Sequence, residues 1–375
     1  MAVSDVKTEE MLLNMGPQHP STHGVLRIVL RTDGEVILDS EAHIGYLHRC
    51  YEKIAESVPY LQVTPYTDRI DYLTSMGSNL SFSIAVEKLM DVEIPERAEY
   101  IRVIMAELNR IASHLVSFGT YGLDMGAITP FLYAFREREA ILRLFEIVCG
   151  QRLNYNYIRI GGVAYDLPEN YLEKVTDFID YFEPRIKEYN DLLSYNGIFI
   201  RRTSNVGILS KEIAFGYGAS GPVLRGSGVQ WDLRKDRPYG IYDRFDFDVP
   251  VGSGEMGTLG DCWDRYIVRI REMEESVKIV RQAVKQIPKE GPFMAKIGKV
   301  LRPPKGEAYT AIENSRGELG FYVISDGSGT AYRMKCRSPA FSNLSLLHEI
   351  SRGCMVADMV AIIGSLDIVM GEIDR

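Results

Sequence analysis

A chain of 375 residues, 46% apolar and 25% charged, has the composition of an ordinary globular protein and is long enough for one large elaborated domain or two to three smaller ones. Its formal charge of −8 comes without a basic run, which argues against nucleic acid and anionic membrane surfaces as partners. The five cysteines are scattered and never in Cys-x-x-Cys spacing, no apolar run reaches the ~18 residues of a membrane span, and Met1–Glu10 lacks the apolar centre of a signal peptide. A disulfide framework, a self-made metal cluster and a membrane-spanning role are therefore not expected.

The first distinctive stretch is Met15–Gly24, with two histidines, two prolines and two glycines. Pro17 and Pro20 fix φ and remove backbone donors, so this segment is predicted as a defined loop. The alternation from Val25 to Arg31, with a type I′ turn signal at Asp33-Gly34, then predicts a hairpin. His19 and His23 read equally well as loop histidines bonded to their own backbone or as functional groups. Residues 42–53 and 66–72 are dense in aromatic and charged side chains and read as loop into helix.

A helix is predicted from Ser75 to Leu89, and a longer one opens at Pro95. In the longer helix Ile101, Ile104, Leu108, Ile111, Leu115 and Phe118 recur at three-four spacing and define one packed seam, with Gly119 as its end. The turn Thr120–Gly126 holds Asp124, and Thr129-Pro130 caps a helix from Phe131 to Cys149. Two further helices are predicted over Pro168–Asn196, kinked at Pro184, and over Asp261–Ile287. Between them Gly197–Gly260 reads as ordered loops crossing the bundle surface. Period-two patterns at Ala308–Glu313, Leu319–Ser325 and Ala331–Cys336, joined by Ser315-Arg-Gly and Asp326-Gly-Ser-Gly, predict a small sheet, followed by two short helices. The fold class is α+β and mainly helical, organised as an N-terminal hairpin and loop region (1–74), a helical bundle (75–300) and a C-terminal sheet with helices returning to the core (301–375).

Gly16–Gly24, Tyr46-Leu-His-Arg49, Asp68-Arg-Ile-Asp-Tyr72, Tyr121-Gly-Leu-Asp124, Tyr157–Val163, Arg269–Met273, Pro304-Lys-Gly-Glu307 and Asp374-Arg375 occur in order along nearly the whole chain. Together they resemble the large quinone-site subunit of respiratory complex I. That family is related to the large subunit of nickel–iron hydrogenases, which implies a hydrogenase-like helical bundle with small flanking sheets. Hydrogenases hold their metal pair with two Cys-x-x-Cys motifs, since thiolates suit such metals. At the corresponding places this chain reads Asp71-Tyr-Leu-Thr74 and Val369-Met-Gly-Glu372, so no metal site is expected.

The resemblance implies His23 and Tyr72 at the quinone head group, and Asp124 as the carboxylate partner of His23. It implies Arg49 and Arg69 near a 4Fe-4S cluster held by a neighbouring subunit. Quinone reduction takes two electrons and two protons, and a histidine with a carboxylate beside it plus a tyrosine hydroxyl are suitable donors near neutral pH. Taken singly, Tyr72 reads as a packed amphipathic residue, Asp124 as a turn or cap, and each arginine as half of an ion pair. His43, His48, His114 and His348 are read as structural. Asn154 stands where many members of the family have a histidine near that cluster, so proton-linked tuning of the cluster there is in question. The implied partners are the terminal-cluster subunit, the small hydrophilic connecting subunit and the membrane subunit under the quinone site, with no homo-oligomer. The implied place is the cytoplasmic face of the cell membrane, as a peripheral part of a proton-translocating NADH:quinone oxidoreductase. A ferredoxin-fed relative, a membrane-bound hydrogenase and a non-catalytic assembly subunit are the alternatives.

Overall fold

The structure is a computed structural model that describes residues 10–19 and 24–375. His23, the residue the sequence reading places at the quinone head group, lies outside the described residues.

The long helix Glu96–Asp124 organises the molecule. Pro95 precedes it, contributing a fixed φ where no backbone donor is needed, and Glu96 and Glu99 in the first turn oppose the positive end of the helix dipole. The six predicted seam residues, Ile101 to Phe118, are all buried. The helices Ser75–Met90, Ile128–Cys149, Tyr171–Tyr189 and Cys262–Gln286 accompany it, and at the last of these Asp261 caps the start by accepting from the Asp264 N–H at 2.9 Å.

The chain departs from the expected end at Gly119, because the helix continues for five more residues to Asp124. A Cβ on Gly119 would lie 3.1 Å from the Phe131 Cα and 3.2 Å from the Ala134 Cβ, and one on Gly122 would lie 3.1 Å from the Pro130 Cβ. These glycines are spacers that let the next helix approach, and the helix tolerates the ~1 kcal/mol that each costs relative to alanine. Gly119→Val is expected to force the two helices apart and destabilise the protein by about 1–3 kcal/mol. A lowered melting temperature of the assembled complex would show it, and an unchanged one would contradict the spacer role.

Among the described residues three small antiparallel sheets flank the helices. The first joins β1 (Glu10–Met15), β2 (Arg27–Asp33) and β3 (Val36–His43) in that order. Strand β1 leaves no mark in the sequence pattern, since its residues are exposed up to Met15. The β2–β3 turn also differs from expectation, because only Gly34 has a positive φ (58°) where a type I′ turn needs two such residues. Strands β4 (Ile158–Arg159) and β5 (Gly162–Val163) form a short ladder. The third sheet, β6 (Gly306–Asn314), β7 (Gly317–Ser325) and β8 (Arg333–Arg337), matches the predicted strands with small shifts at their ends.

Two apolar cores result. One lies among the long helices and the β6–β8 sheet; the other gathers Leu26, Ile28, Leu30 and Ile37 with the C-terminal helices. Those helices number four, Pro339–Leu344, Leu347–Ser351, Asp358–Leu366 and Met370–Asp374, rather than the two expected. Each is too short to show helical periodicity. Among the described residues no helix is long and apolar enough to cross a membrane.

Residues 197–260 contradict the surface-loop expectation most strongly. Within them Gly221–Gly226 and Leu233–Asp236 are short helices that carry Arg225 and Arg234 into the interior, where both are buried. Arg225 donates Nε and Nη2 to Glu272 Oε1 at 2.9 and 2.6 Å, and Nη1 to Glu313 Oε1 at 2.8 Å. Arg234 pairs with Asp232 and Glu107, and Tyr242 and Ser276 donate to Glu107 at 2.7 Å. Burial alone would raise the Glu107 pKa, but the Arg110 and Arg234 guanidiniums outweigh it and hold it at about 2. The alternating charges of this stretch belong to a buried ionic network.

Candidate functional site

A cavity of about 210 Å³ opens where residues 72–73 and 367–370 approach the long helix. Its walls include Tyr72, Thr120, Arg316, Gly364, Asp367 and Met370. As bounded by the described residues it is smaller than the ~300–1,000 Å³ of sites that enclose drug-sized ligands, so its size suits a single ring.

Tyr72 sits on the segment between the helices Tyr60–Thr67 and Ser75–Met90, and its side chain is partly exposed at the cavity wall. The segment is held from beneath. Asp71 accepts from the Thr74 hydroxyl and from Arg316 Nη1, each at 2.5 Å, and the Asn109 amide donates to the Leu73 carbonyl at 2.9 Å.

Asp124 is the last residue of the long helix, not a turn residue as the sequence suggests, and is half-buried. Its Oδ2 lies 3.4 Å from the position a Cβ on Gly364 would occupy, and Gly364 is part of the cavity wall. Tyr72 therefore meets the cavity directly, while Asp124 stands behind one of its glycines. The fold brings together two residues that the sequence holds far apart. Asp124 would not reach this place had the helix ended at Gly119.

Arg49 and Arg69 are also brought together: Arg49 Nη2 donates to the Arg69 carbonyl at 2.6 Å, and Arg69 donates to the Pro65 carbonyl. Both are exposed, and neither forms a carboxylate ion pair among the described residues, so the ion-pair alternative gains no support. Beside Arg69 is a second pocket of about 370 Å³, lined by Asp68, Cys149, Asn154 and Arg159 among others. Burial raises the Asp68 carboxyl to about 6 against the lowering by the Asn156 N–H. Asn154 has φ 56°, a left-handed conformation that asparagine adopts more readily than most residues.

Two of the remaining histidines, His114 and His48, have partners within the fold. Buried His114 has Nε2 2.9 Å from Glu272 Oε2, with its pKa lowered by burial against the raising effect of Glu272. His48 Nδ1 is 2.6 Å from the Asp374 carbonyl, and the Asp374 carboxylate accepts from the Gly45 and Leu47 N–H groups at 2.9 and 2.6 Å. The Tyr46–Arg49 and Asp374–Arg375 motifs thus meet in space.

Sequence reasoning misses Arg316, Asp367 and Thr120 at the cavity. Arg316 lies in the β6–β7 turn, a position that usually faces water, yet it is buried, with Nε bonded to the Asp367 carbonyl at 2.8 Å and Nη2 to Asp367 Oδ1 at 3.4 Å. The available signal is charge: an arginine in a two-residue turn, and an aspartate, Asp367, just before the Val-Met-Gly-Glu run.

The family model for the respiratory-chain NADH dehydrogenase 49 kDa subunit matches residues 124–304 and 296–375. A subunit of NADH-quinone oxidoreductase from Chlorobium luteolum is 55% identical over 374 residues, covering 99% of this chain and 95% of its own length. The like-named subunits from Bacillus mycoides and Bacillus cereus are 55% and 56% identical over 369 residues, covering 98% of this chain and all of their own length. With a mainly helical α+β fold, these matches define a subunit of a respiratory oxidoreductase. The chain belongs to the 49 kDa subunit family of respiratory-chain NADH dehydrogenase, and its role is that of a subunit of NADH-quinone oxidoreductase.

Proposed function

We propose that the Tyr72–Arg316–Asp367 cavity receives the quinone head group, and that this chain forms the reduction site jointly with the subunit carrying the terminal 4Fe-4S cluster. The observation that carries the reading is the meeting of Tyr72 and, through Gly364, Asp124 at one ring-sized cavity. Tyr72 donates a hydrogen bond and then a proton to one quinone oxygen. His23, which precedes β2 in the sequence, supplies the second proton with Asp124 as its carboxylate partner. Arg316, paired with Asp71 and Asp367, fixes the Tyr72 segment and the 367–370 segment on either side of the cavity.

The exposed pair Arg49 and Arg69 fits the edge of a negatively charged cluster on the partner, which supplies electrons when bound. Guanidiniums there favour its reduced form. The complex couples this chemistry to proton translocation by membrane subunits, and this chain sits against them as a peripheral subunit on the cytoplasmic face. The small hydrophilic connecting subunit is a further neighbour.

A photoreactive quinone analogue applied to the intact complex tests the assignment. Label is expected in peptides containing Tyr72 or the 367–370 segment, and an excess of a head-group inhibitor should protect them. Labelling confined to other subunits would remove the cavity from the quinone site.

A further inference from the structure

Glu372 lies behind the same cavity, in the short helix Met370–Asp374, and is fully buried. Among the described residues neither of its carboxylate oxygens has a hydrogen-bond partner of good geometry, the Ala340 N–H being the backbone donor turned toward it. The guanidiniums whose charge reaches it, Arg316 and Arg337, make their hydrogen bonds elsewhere. Arg316 bonds Asp71 and Asp367, Arg337 donates to the Glu318 and Gly218 carbonyls at 2.7 Å, and Arg49 donates to the Arg69 carbonyl. Asp71 faces Glu372 from the segment before the Ser75–Met90 helix, and the buried Cys336 thiol faces it from β8. Three carboxylates, Asp71, Asp367 and Glu372, thus share this interior with Arg316 and Arg269, whose Nε is 3.7 Å from Asp367 Oδ2.

An ionised carboxylate without donors is costly to bury, and the low-energy solution for a crowded acid group is to keep one proton. Two of the three carboxylates are served by guanidiniums. Glu372 is the one left over.

We propose that Glu372 is a proton-holding acid of the head-group cavity, protonated at neutral pH and giving up that proton when the quinone is reduced. The inference rests on the cavity being the quinone site. In the step, the Glu372 O–H breaks and its proton replaces the one that Tyr72 has given to the quinone oxygen. The electrons come from the donor chain, the quinol still carries two protons, and the Glu372 carboxylate recovers its proton from solvent. Burial and the Asp71 charge push Glu372 up to about 8, with the Arg316 charge and the dipole of the Ala340 N–H opposing, which agrees with the geometry. A carboxylate held there only to pair with Arg316 would instead be ionised at neutral pH.

Infrared difference spectra of the intact complex, recorded across pH 5–10, separate the two. The expected result is a protonated-carboxyl C=O band, sensitive to deuteration, that titrates near pH 8 and is missing in Glu372→Gln. That variant should lose maximal quinone reduction with little change in KM. No such band, or one that survives in Glu372→Gln, overturns the proposal. If Glu372→Gln does not assemble, Asp71→Asn decides, because removing the neighbouring charge and freeing Arg316 must move the band to lower pH; an unmoved band overturns the proposal. A head-group inhibitor should shift the titration. A Glu372 band that ignores the inhibitor would leave the buried proton in place, and would overturn both its delivery and the assignment of the cavity to quinone.

Discussion

Tyr72→Phe is expected to lower quinone reduction about 10²–10⁴-fold, the usual effect of removing one positioned acid, while reduction of an artificial acceptor upstream of the quinone persists. The change deletes one hydroxyl and keeps the ring, so cavity shape is retained. Tyr72 is 42% exposed, and loss of its hydroxyl does not leave a buried partner unsatisfied on a scale that would unfold the segment. The segment is pinned by Asp71 and Asn109 in any case. A loss of ~10³ corresponds to about 4 kcal/mol of transition-state stabilisation, more than a hydrogen bond made equally in ground and transition states would give. The effect should therefore appear in kcat as well as in kcat/KM. Steady-state assays with a water-soluble quinone and with the artificial acceptor give the test. Unchanged quinone reduction would exclude Tyr72 as a donor, and parallel loss of both activities would point to faulty assembly.

The sequence reveals elements whose physical signal is local. The seam from Ile101 to Phe118 is periodic because one helix face is buried, and strands β6–β8 alternate because their sheet covers the core on one side. What cannot be read depends on distant parts of the chain. Gly119 looks like a terminator until the Phe131 backbone is beside it, and Arg225 looks solvated until Glu272 and Glu313 surround it. The site divides in the same way. Tyr72, Asp124, Arg49 and Arg69 can be proposed from the sequence because their motifs occur in order along a recognisable family pattern. Arg316 and Asp367 are not, because nothing local distinguishes a turn arginine in water from one that closes a cavity wall.

Arg225→Met should be strongly destabilising, by about 3–5 kcal/mol, because it leaves buried carboxylates without their cation. The side chain is wholly buried and makes three contacts to two acids, Glu272 and Glu313. Methionine approximates its volume, so the loss is electrostatic rather than a cavity effect. The pH dependence fixes the sign. Burial acts to raise Glu272, but Arg225 and the His114 hydrogen bond overcome it and depress the pKa below the ordinary carboxylate range. Its stabilising contribution is present above the unfolded carboxylate pKa, about 4.3, and is lost only as pH falls through the lower folded value. Without Arg225 burial dominates at Glu272, and Glu313, which burial already raises, is raised further; each then opposes folding increasingly as pH rises. The stability gap between wild type and Arg225→Met should be widest at neutral and higher pH and should narrow toward pH ~5. Thermal unfolding of the purified complex over that range, with antibody quantification of this subunit in membranes, provides the measurement. A variant within about 0.5 kcal/mol of wild type would match an ordinary surface substitution, and would show that the network contributes nothing to holding residues 197–260 in the core.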